Sequence, residues 1–425
     1  MNIDNAIVRY RDYGKKLNII ARQVPSIKGN FISAIIGPRR AGKTYLMLQQ
    51  KNALDLPDNN KIFINGEDID FEGIKTDDLD KIEKSIFKIY NPDPDKDMYL
   101  FIDEIQNFPS WGRWLRTLFD EHRYHIIISG STSELSTSNL PQELRGRAMN
   151  LLVLPFSFKE YCSAKDLDYQ KYLDAPTSGK LLRYFSDFIN FGGYPLVVAS
   201  DTDDEKAIIL RELYETVLQK DIIDKYKIRK TAILKAAINS MLGSSCRVIS
   251  AAKLAEWFSE QGLKVSSQTT LNYLTYAQSV FLFFLLQRYS KKPKERNTKQ
   301  KLYVPDSGLL EIASMDFSKK LENQVFVELL RRKQQISYYA TQTNEVDFVI
   351  EEKGTVKELI QVSYSIKAQE TYTRETGALI RASVDLRCDK LMILTFDEER
   401  EIKIRGKLIR VIPTWKWMLL HTDDK

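Results

Sequence analysis

Eight consecutive residues, Gly37-Pro38-Arg39-Arg40-Ala41-Gly42-Lys43-Thr44, satisfy G-x-x-x-x-G-K-[ST]. They follow an apolar run and open a helical one, the context in which backbone N–H groups curl around phosphate at a helix N-terminus. Lys43 is placed to reach the terminal phosphates and Thr44 to ligate Mg²⁺, so the cofactors expected are ATP and Mg²⁺. A later apolar run, Met98 to Ile102, ends in Asp103-Glu104 and delivers two carboxylates to the carboxyl edge of a sheet. Asp103 is expected in the Mg²⁺ shell, and Glu104 is expected to orient the attacking water; as a bland alternative the pair only caps the next segment. Ile126-Ile127-Ile128 runs into Ser129-Gly130-Ser131-Thr132, where Ser131 could sense the terminal phosphate, although an ordinary Ser-rich loop has the same composition. Arg145 and Arg147 could act as arginine fingers toward a neighbouring copy in a homo-oligomer, or simply form solvated charge pairs.

The elements around these residues follow from periodicity. Strands are expected at Phe31 to Ile36, Lys61 to Asn65, Met98 to Ile102 and His125 to Ser129, with helices at Thr44 to Leu54, at Leu79 to Tyr90 and around Trp111 to Phe119. Strict alternation implies a parallel sheet covered on both faces. Trp111 and Trp114 share a face with Leu115 and Leu118, so they are assigned to packing rather than base stacking. After Pro155 the strand signals stop and helices follow, Gly179 to Ile189 and Lys206 to Ile223, separated by the breaker Phe191-Gly192-Gly193-Tyr194-Pro195. From about Ile233 the order becomes helix Ile233 to Leu242, helix Ala251 to Gln261, a helix after Ser266, and strands Val280 to Arg288 and Lys301 to Val304. That is the order of a winged helix. A second α/β unit closes the chain: helix Glu322 to Arg332, strands Ile336 to Ala340, Val346 to Ile350 and Leu359 to Val362, a helix near Thr373 to Ala382, and strand Leu391 to Phe396.

Composition sets the boundaries. With 425 residues, 43% hydrophobic and 28% charged, the chain is an ordinary globular one of two to four domains. Its longest apolar run, Val280 to Leu286, falls far short of the roughly 20 residues of a spanning helix, and the N-terminus has no secretory pattern; a cytoplasmic location off the membrane is expected. Three widely spaced cysteines and three histidines leave little for disulfides, zinc sites or a Ser-His-Asp triad. The net charge of +6 is unevenly spread: Lys291, Lys292, Lys294, Arg296, Lys299 and Lys301 face Glu295 alone within one short segment. A solvated loop is the bland reading. At the tip of a hairpin beside a helix-turn-helix, however, such a segment would contact phosphate, while the second helix would offer Ser267, Gln268, Thr269, Thr270, Asn272 and Tyr273 to a groove. DNA is therefore the expected partner, with a winged-helix protein-interaction module as the alternative.

GPRRAGKT, YLFIDEIQNFPSW, IIISGSTSEL, ELRGRAMNLLVLPFSFKEY, FGGYP, LENQVFVELLRR and NEVDFVI, in this order, resemble a large family of bacterial and archaeal AAA-type ATPases with a C-terminal region of unknown function. The resemblance spans nearly the whole chain and implies an α/β P-loop NTPase (AAA+-like) core with a parallel sheet, a helical lid, a winged helix and a restriction-endonuclease-like α/β domain. The implied boundaries are 1–155, 156–230, 231–310 and 311–425. An endonuclease-like fold holds Mg²⁺ between acids on successive elements, with a lysine two residues after the last. Glu322 and Asp347 match the first two acids. The third element reads Gln361-Val362-Ser363, with glutamine in the acid slot and serine where lysine belongs, so the site is expected to be vestigial and to hold no cation against a scissile phosphate. Lys367 is a distant substitute. The expected function is a Mg²⁺-dependent ATPase that couples nucleotide state to DNA engagement through the winged helix. The alternatives are an ATP-gated scaffold for protein partners in defence or stress responses, and an ATP-licensed metal-dependent nuclease.

Overall fold

The computed structural model describes residues 2–15, 17–24, 31–131, 141–172, 179–260, 265–292, 296 and 299–420. Two units divide the chain, Met1–Val153 and Leu154–Lys425.

In the first unit the order is α1 (Ile3–Tyr10), β1 (Ile32–Ile36), α2 (Lys43–Asn52), β2 (Lys61–Asn65), α3 (Leu79–Tyr90), β3 (Met98–Asp103), α4 (Trp111–Asp120), β4 (Tyr124–Gly130) and β5 (Ala148–Leu152). The strands form one sheet in the order β2-β3-β4-β1-β5, every neighbouring pair parallel. Ile35, Phe63, Phe101 and Ile127 of the sheet pack with Leu46, Met47 and Leu48 of α2, which is why the strands read as continuous apolar runs. Trp114 is buried and its ring lies 5.6 Å from that of Phe108, so it belongs to the packing as expected. The N-terminus carries a helix that periodicity did not announce. The Asn2 side chain accepts a hydrogen bond from the Asn5 N–H, Ile3, Ala6 and Ile7 are buried, and the Asp4 carboxylate accepts from Ser85 and Lys88 of α3, each at 2.6 Å.

The second unit opens with helices α5 (Phe158–Ala164), α6 (Gly179–Phe191), α7 (Pro195–Val198) and α8 (Asp203–Thr216), the last continuing as a π-helical stretch over Val217–Asp224. Asp306 ties the Phe191-Gly192-Gly193-Tyr194-Pro195 breaker down. Its carboxylate accepts from the Gly193 N–H at 2.7 Å and the Gly308 N–H at 3.0 Å, and a Cβ on Gly192, whose φ is +78°, would stand 1.6 Å from an Asp306 oxygen. Next come α9 (Thr231–Gly243), β6 (Val248–Ile249), α10 (Ala251–Glu260), α11 (Ser267–Ser279), β7 (Phe284–Gln287) and β8 (Gln300–Tyr303). The three strands form an antiparallel sheet in the order β6-β8-β7. Leu234, Ile238, Phe258, Leu274 and Leu302 join helices and sheet in one core that also takes in Leu210 and Leu213 of α8. The strand expected from Val280 starts only at Phe284, because α11 ends in a Schellman turn. Phe281 takes the left-handed conformation (φ 57°), its N–H donates to Gln278 O at 3.0 Å, and the Leu282 N–H donates to Ala277 O at 2.9 Å.

The chain ends with α12 (Leu309–Ile312), α13 (Phe317–Arg331), β9 (Gln335–Ala340), β10 (Glu345–Glu352), β11 (Thr355–Val362), α14 (Gln369–Leu386), β12 (Leu391–Thr395), β13 (Arg400–Ile404), β14 (Lys407–Pro413) and α15 (Thr414–Leu419). One six-stranded sheet runs β13-β14-β12-β11-β10-β9, parallel across β11-β12-β14 and antiparallel elsewhere. The β13–β14 hairpin extends the expected unit beyond Phe396. Cys162, Cys246 and Cys388 are buried free thiols, and no helix among the described residues is long and apolar enough to cross a membrane.

Candidate functional site

Sheet register assembles the first site. Ile36 pairs with Gly130 and Ile102 with Ile128, so β1, β3 and β4 end side by side and their loops share one edge. The phosphate-loop motif leaves β1 with Gly37 at φ +147°, where a Cβ would lie 2.0 Å from Val153 O, and enters α2 through Gly42 at φ +98°. Only glycine tolerates both constraints.

Lys43 is buried, and its ammonium donates to Gly37 O and Pro38 O at 3.1 Å each and to Ser131 Oγ at 2.8 Å. Ser131 in turn donates from Oγ to Glu104 Oε1 at 2.8 Å and from its N–H to Glu104 Oε2 at 3.3 Å. Thr44 Oγ1 donates to Asp103 Oδ2 at 2.7 Å, while Ser129 Oγ donates to the other Asp103 oxygen. Glu104 itself sits in the left-handed region at φ 48°, held there by its N–H donating to Ser129 Oγ at 3.0 Å. Burial and the neighbouring Glu104 charge push the Asp103 carboxyl up to about 6, against the Ser129 and Thr44 hydrogen bonds. Burial works the same way on Glu104, but the Lys43 cation and the Gln106 and Ser131 hydrogen bonds outweigh it and hold that carboxyl below its ordinary value.

All the residues expected from the motifs, Gly37 through Thr44, Asp103, Glu104 and Ser131, thus meet at one edge. The loop N–H groups with Lys43 suit phosphates, and Thr44 with Asp103 are the pair that would hold Mg²⁺. Two further groups were not among the expected site residues. Gln106 donates to Glu104 Oε2 at 2.6 Å, and the buried Arg22 donates to Ala41 O at 2.8 Å inside the loop.

A second cluster lies in the terminal region. Glu322 on α13 and Asp347 on β10, the matched acids, converge as expected, and the Gln361 amide joins them by accepting the Asp347 N–H at 2.8 Å. No lysine follows Gln361 on β11, but a cation reaches the acids from another element. Lys301, on β8, is buried with its ammonium 2.9 Å from Asp347 Oδ1, 3.3 Å from Glu322 Oε1 and 2.7 Å from Glu345 Oε1. Burial alone would lower its pKa, but the three carboxylates outweigh that and hold it well above the ordinary lysine value. Lys367 is exposed.

Three known domain families match the chain in order. Residues 29–162 match a family described as an AAA domain, residues 182–320 a domain of unknown function (DUF8612), and residues 317–417 a second (DUF4143). A protein of Methanocaldococcus jannaschii, described as uncharacterized, is 34% identical over 433 residues, 98% of this chain and 95% of its own length. The chain belongs to this family of AAA-domain proteins. A relative from Haemophilus influenzae, also described as uncharacterized, is 27% identical over 398 residues, 92% of this chain and 94% of its own. Among solved structures, the Walker-type ATPase of Pyrococcus abyssi shares 14% identity at a TM-score of 0.40, covering 67% of this chain and 91% of that one.

The remaining expected residues of this AAA-domain chain are placed unevenly. Arg147 lies 3.7 Å from Asp120 in an ion pair, and Arg145 is exposed. On α11, Asn272 is exposed and accepts from Gln268 at 3.0 Å, and Thr269 is half-buried. Thr270 and Tyr273 are corrections. Both are buried, and Thr270 Oγ1 donates to Ser266 O at 3.1 Å, because positions three apart on this helix turn toward the core rather than outward. Lys291 and Lys292 are exposed, Arg296 donates to Ser290 O at 2.7 Å, and Lys294 lies outside the described residues.

Proposed function

We propose that the chain is a Mg²⁺-dependent ATPase whose nucleotide state governs DNA engagement through a winged helix, formed by α9 to α11 with the β6-β8-β7 sheet. The observation that carries the reading is the chain Lys43–Ser131–Glu104 standing beside Thr44–Asp103, which puts a fixed cation, a carboxylate and a metal-binding pair at one sheet edge. Lys43 neutralises terminal phosphate charge, Glu104 accepts a hydrogen bond from the attacking water and orients it, and Ser131, bonded to both, couples the state of one to the other. Mg²⁺, when bound, spreads the developing phosphate charge. Thr44 and Asp103 are the residues that would hold it.

Asp103 adds a pH signature. Its folded-state carboxyl, at about 6, lies above its ordinary value, so below that pH the nucleotide-free chain carries a proton there that metal binding must expel. Affinity for Mg–nucleotide should be full above about pH 6 and fall as pH drops through it. Calorimetry in buffers of different ionisation enthalpy should detect close to one proton released from Asp103 at pH 5, in addition to the nucleotide's own, and far less at pH 8. The difference between the two pH values should shrink in Asp103→Asn, where only the nucleotide's own titration remains. Equal proton release by both proteins at pH 5 would remove Asp103 from the metal shell.

The test of the whole reading is the ATP turnover rate with and without single-stranded, duplex and branched DNA. Stimulation by DNA is expected, by at least several-fold. Turnover indifferent to every DNA would transfer the winged helix to protein partners.

A further inference from the structure

The terminal cavity, of about 690 Å³, is lined by Glu322, Glu345, Asp347, Gln361, Arg374 and Arg381 among others. An endonuclease-like fold would place a divalent ion against these acids, and the side chains in place decide whether they could take one. Every oxygen of the two key carboxylates is already engaged. Glu322 Oε1 accepts from Lys301 at 3.3 Å and from the Tyr303 hydroxyl at 2.9 Å, and its Oε2 accepts from Lys319 at 2.8 Å. Asp347 Oδ1 accepts from Lys301 at 2.9 Å and Oδ2 from the Val362 N–H at 3.0 Å. Gln361, in the third acid slot, spends its carbonyl on the Asp347 N–H and its amide on Glu375 at 2.6 Å. Mg²⁺ needs near-octahedral oxygen ligands at about 2.0–2.1 Å, and each oxygen of Glu322 and Asp347 already accepts from a protein donor that a metal would have to displace, Lys301 foremost. The residues do not fit a divalent ion.

What they fit is the ammonium they hold. Lys301 is 1% exposed, and its charge is balanced by Glu322, Glu345 and Asp347 with Tyr338 beside it, the ring centroid 5.6 Å from Nζ. It arrives from outside the terminal sheet, on β8, whose neighbour β7 runs on into a bridge between Arg288 and Tyr338 at the edge strand β9. The Tyr289 N–H donates to Tyr338 O at 2.6 Å and prolongs that junction. We infer that Lys301 is the resident cation of the terminal site, standing in the divalent metal's place and locking the β7–β8 hairpin onto the terminal domain. The cavity then offers a fixed, metal-free polar surface, and the hairpin and the terminal sheet move as one body. This inference does not depend on ATP hydrolysis.

Mn²⁺ binding to the full-length, nucleotide-free protein tests it, read by paramagnetic resonance titration and by the Mn²⁺-induced shift in Tm. Comparison with Asp347→Asn isolates the terminal site from the phosphate loop. Wild type should show no Asp347-dependent Mn²⁺ binding up to about millimolar metal, and Lys301→Arg should match it. Lys301→Met removes the ammonium and keeps the stem, so it should have a lowered Tm, gain one Mn²⁺ site, recover part of the Tm with metal, and lose that gain when Asp347→Asn is added. Asp347-dependent Mn²⁺ binding by wild type would overturn the inference, as would a folded Lys301→Met that gains none. If Lys301→Met does not fold, the wild-type comparison with Asp347→Asn decides alone.

Discussion

Glu104→Gln is expected to bind ATP about as well as wild type and to hydrolyse it about 10²–10³-fold more slowly, whereas Lys43→Ala should lose both binding and turnover. The asymmetry follows from what each group touches. The Lys43 ammonium is held by Gly37 O, Pro38 O and Ser131 Oγ and has only to exchange one of these acceptors for a phosphate oxygen, and alanine removes that cation from the loop. Glu104 accepts from Gln106 and Ser131, and reaches the loop only through the Ser131 bond to Lys43. Glutamine keeps the shape and one acceptor but cannot hold the charge that polarises water. Binding measured with a fluorescent ATP analogue, and turnover by phosphate release, separate the two effects. Both variants should be checked for an unchanged circular dichroism spectrum, since Lys43 is buried. Wild-type turnover in both would end the ATPase assignment.

How far residue patterns reached depended on whether a feature was local. β1 to β4 were legible because a strand buried on both faces must be apolar throughout, and Ile35, Phe63, Phe101 and Ile127 are. The glycines of the phosphate loop were legible because backbone geometry forces them, and Asp103-Glu104 because two acids ending an apolar strand are a local pattern. Helix α1 was not, since only Ile3, Ala6 and Ile7 of its short span are buried and its stability comes from contacts to α3 far along the chain. The Schellman turn after α11 escaped notice because Phe281, not glycine, takes the left-handed position, leaving an unbroken apolar run that reads as one strand.

Lys301 is the sharpest case. In one dimension it closes a run of cations and invites the reading of a solvated hairpin tip. In three, it is the first cation after the segment that falls on β8, at a position facing inward, and its partners come from α13 and β10. A local charge run carries no information about acids a long way down the chain. The offset from Gln361 leads only to Ser363 because it describes one strand, while the ammonium that reaches Asp347 comes from another element.

That relocation also sharpens the expected behaviour of the basic hairpin. With Lys301 withdrawn into an ion cluster, five cations remain to meet DNA: Lys291, Lys292, Lys294, Arg296 and Lys299. Each phosphate neutralised contributes about −0.9 to the log–log salt slope, so the limit for duplex DNA is about −4.5, and raising salt from about 50 to 200 mM should weaken binding about 500-fold if all five engage. Replacing Lys291, Lys292, Lys294 and Arg296 by alanine leaves Lys299, and the same salt step should then cost about 4-fold. Asn272→Ala should behave differently. Its side chain is exposed on α11, where it would touch base edges rather than phosphate, so sequence preference should change while the slope stays put. Fluorescence anisotropy across a salt series reads both quantities at once. An unchanged slope and affinity in the four-alanine protein would show that the hairpin is a solvated loop and that any DNA contact lies elsewhere.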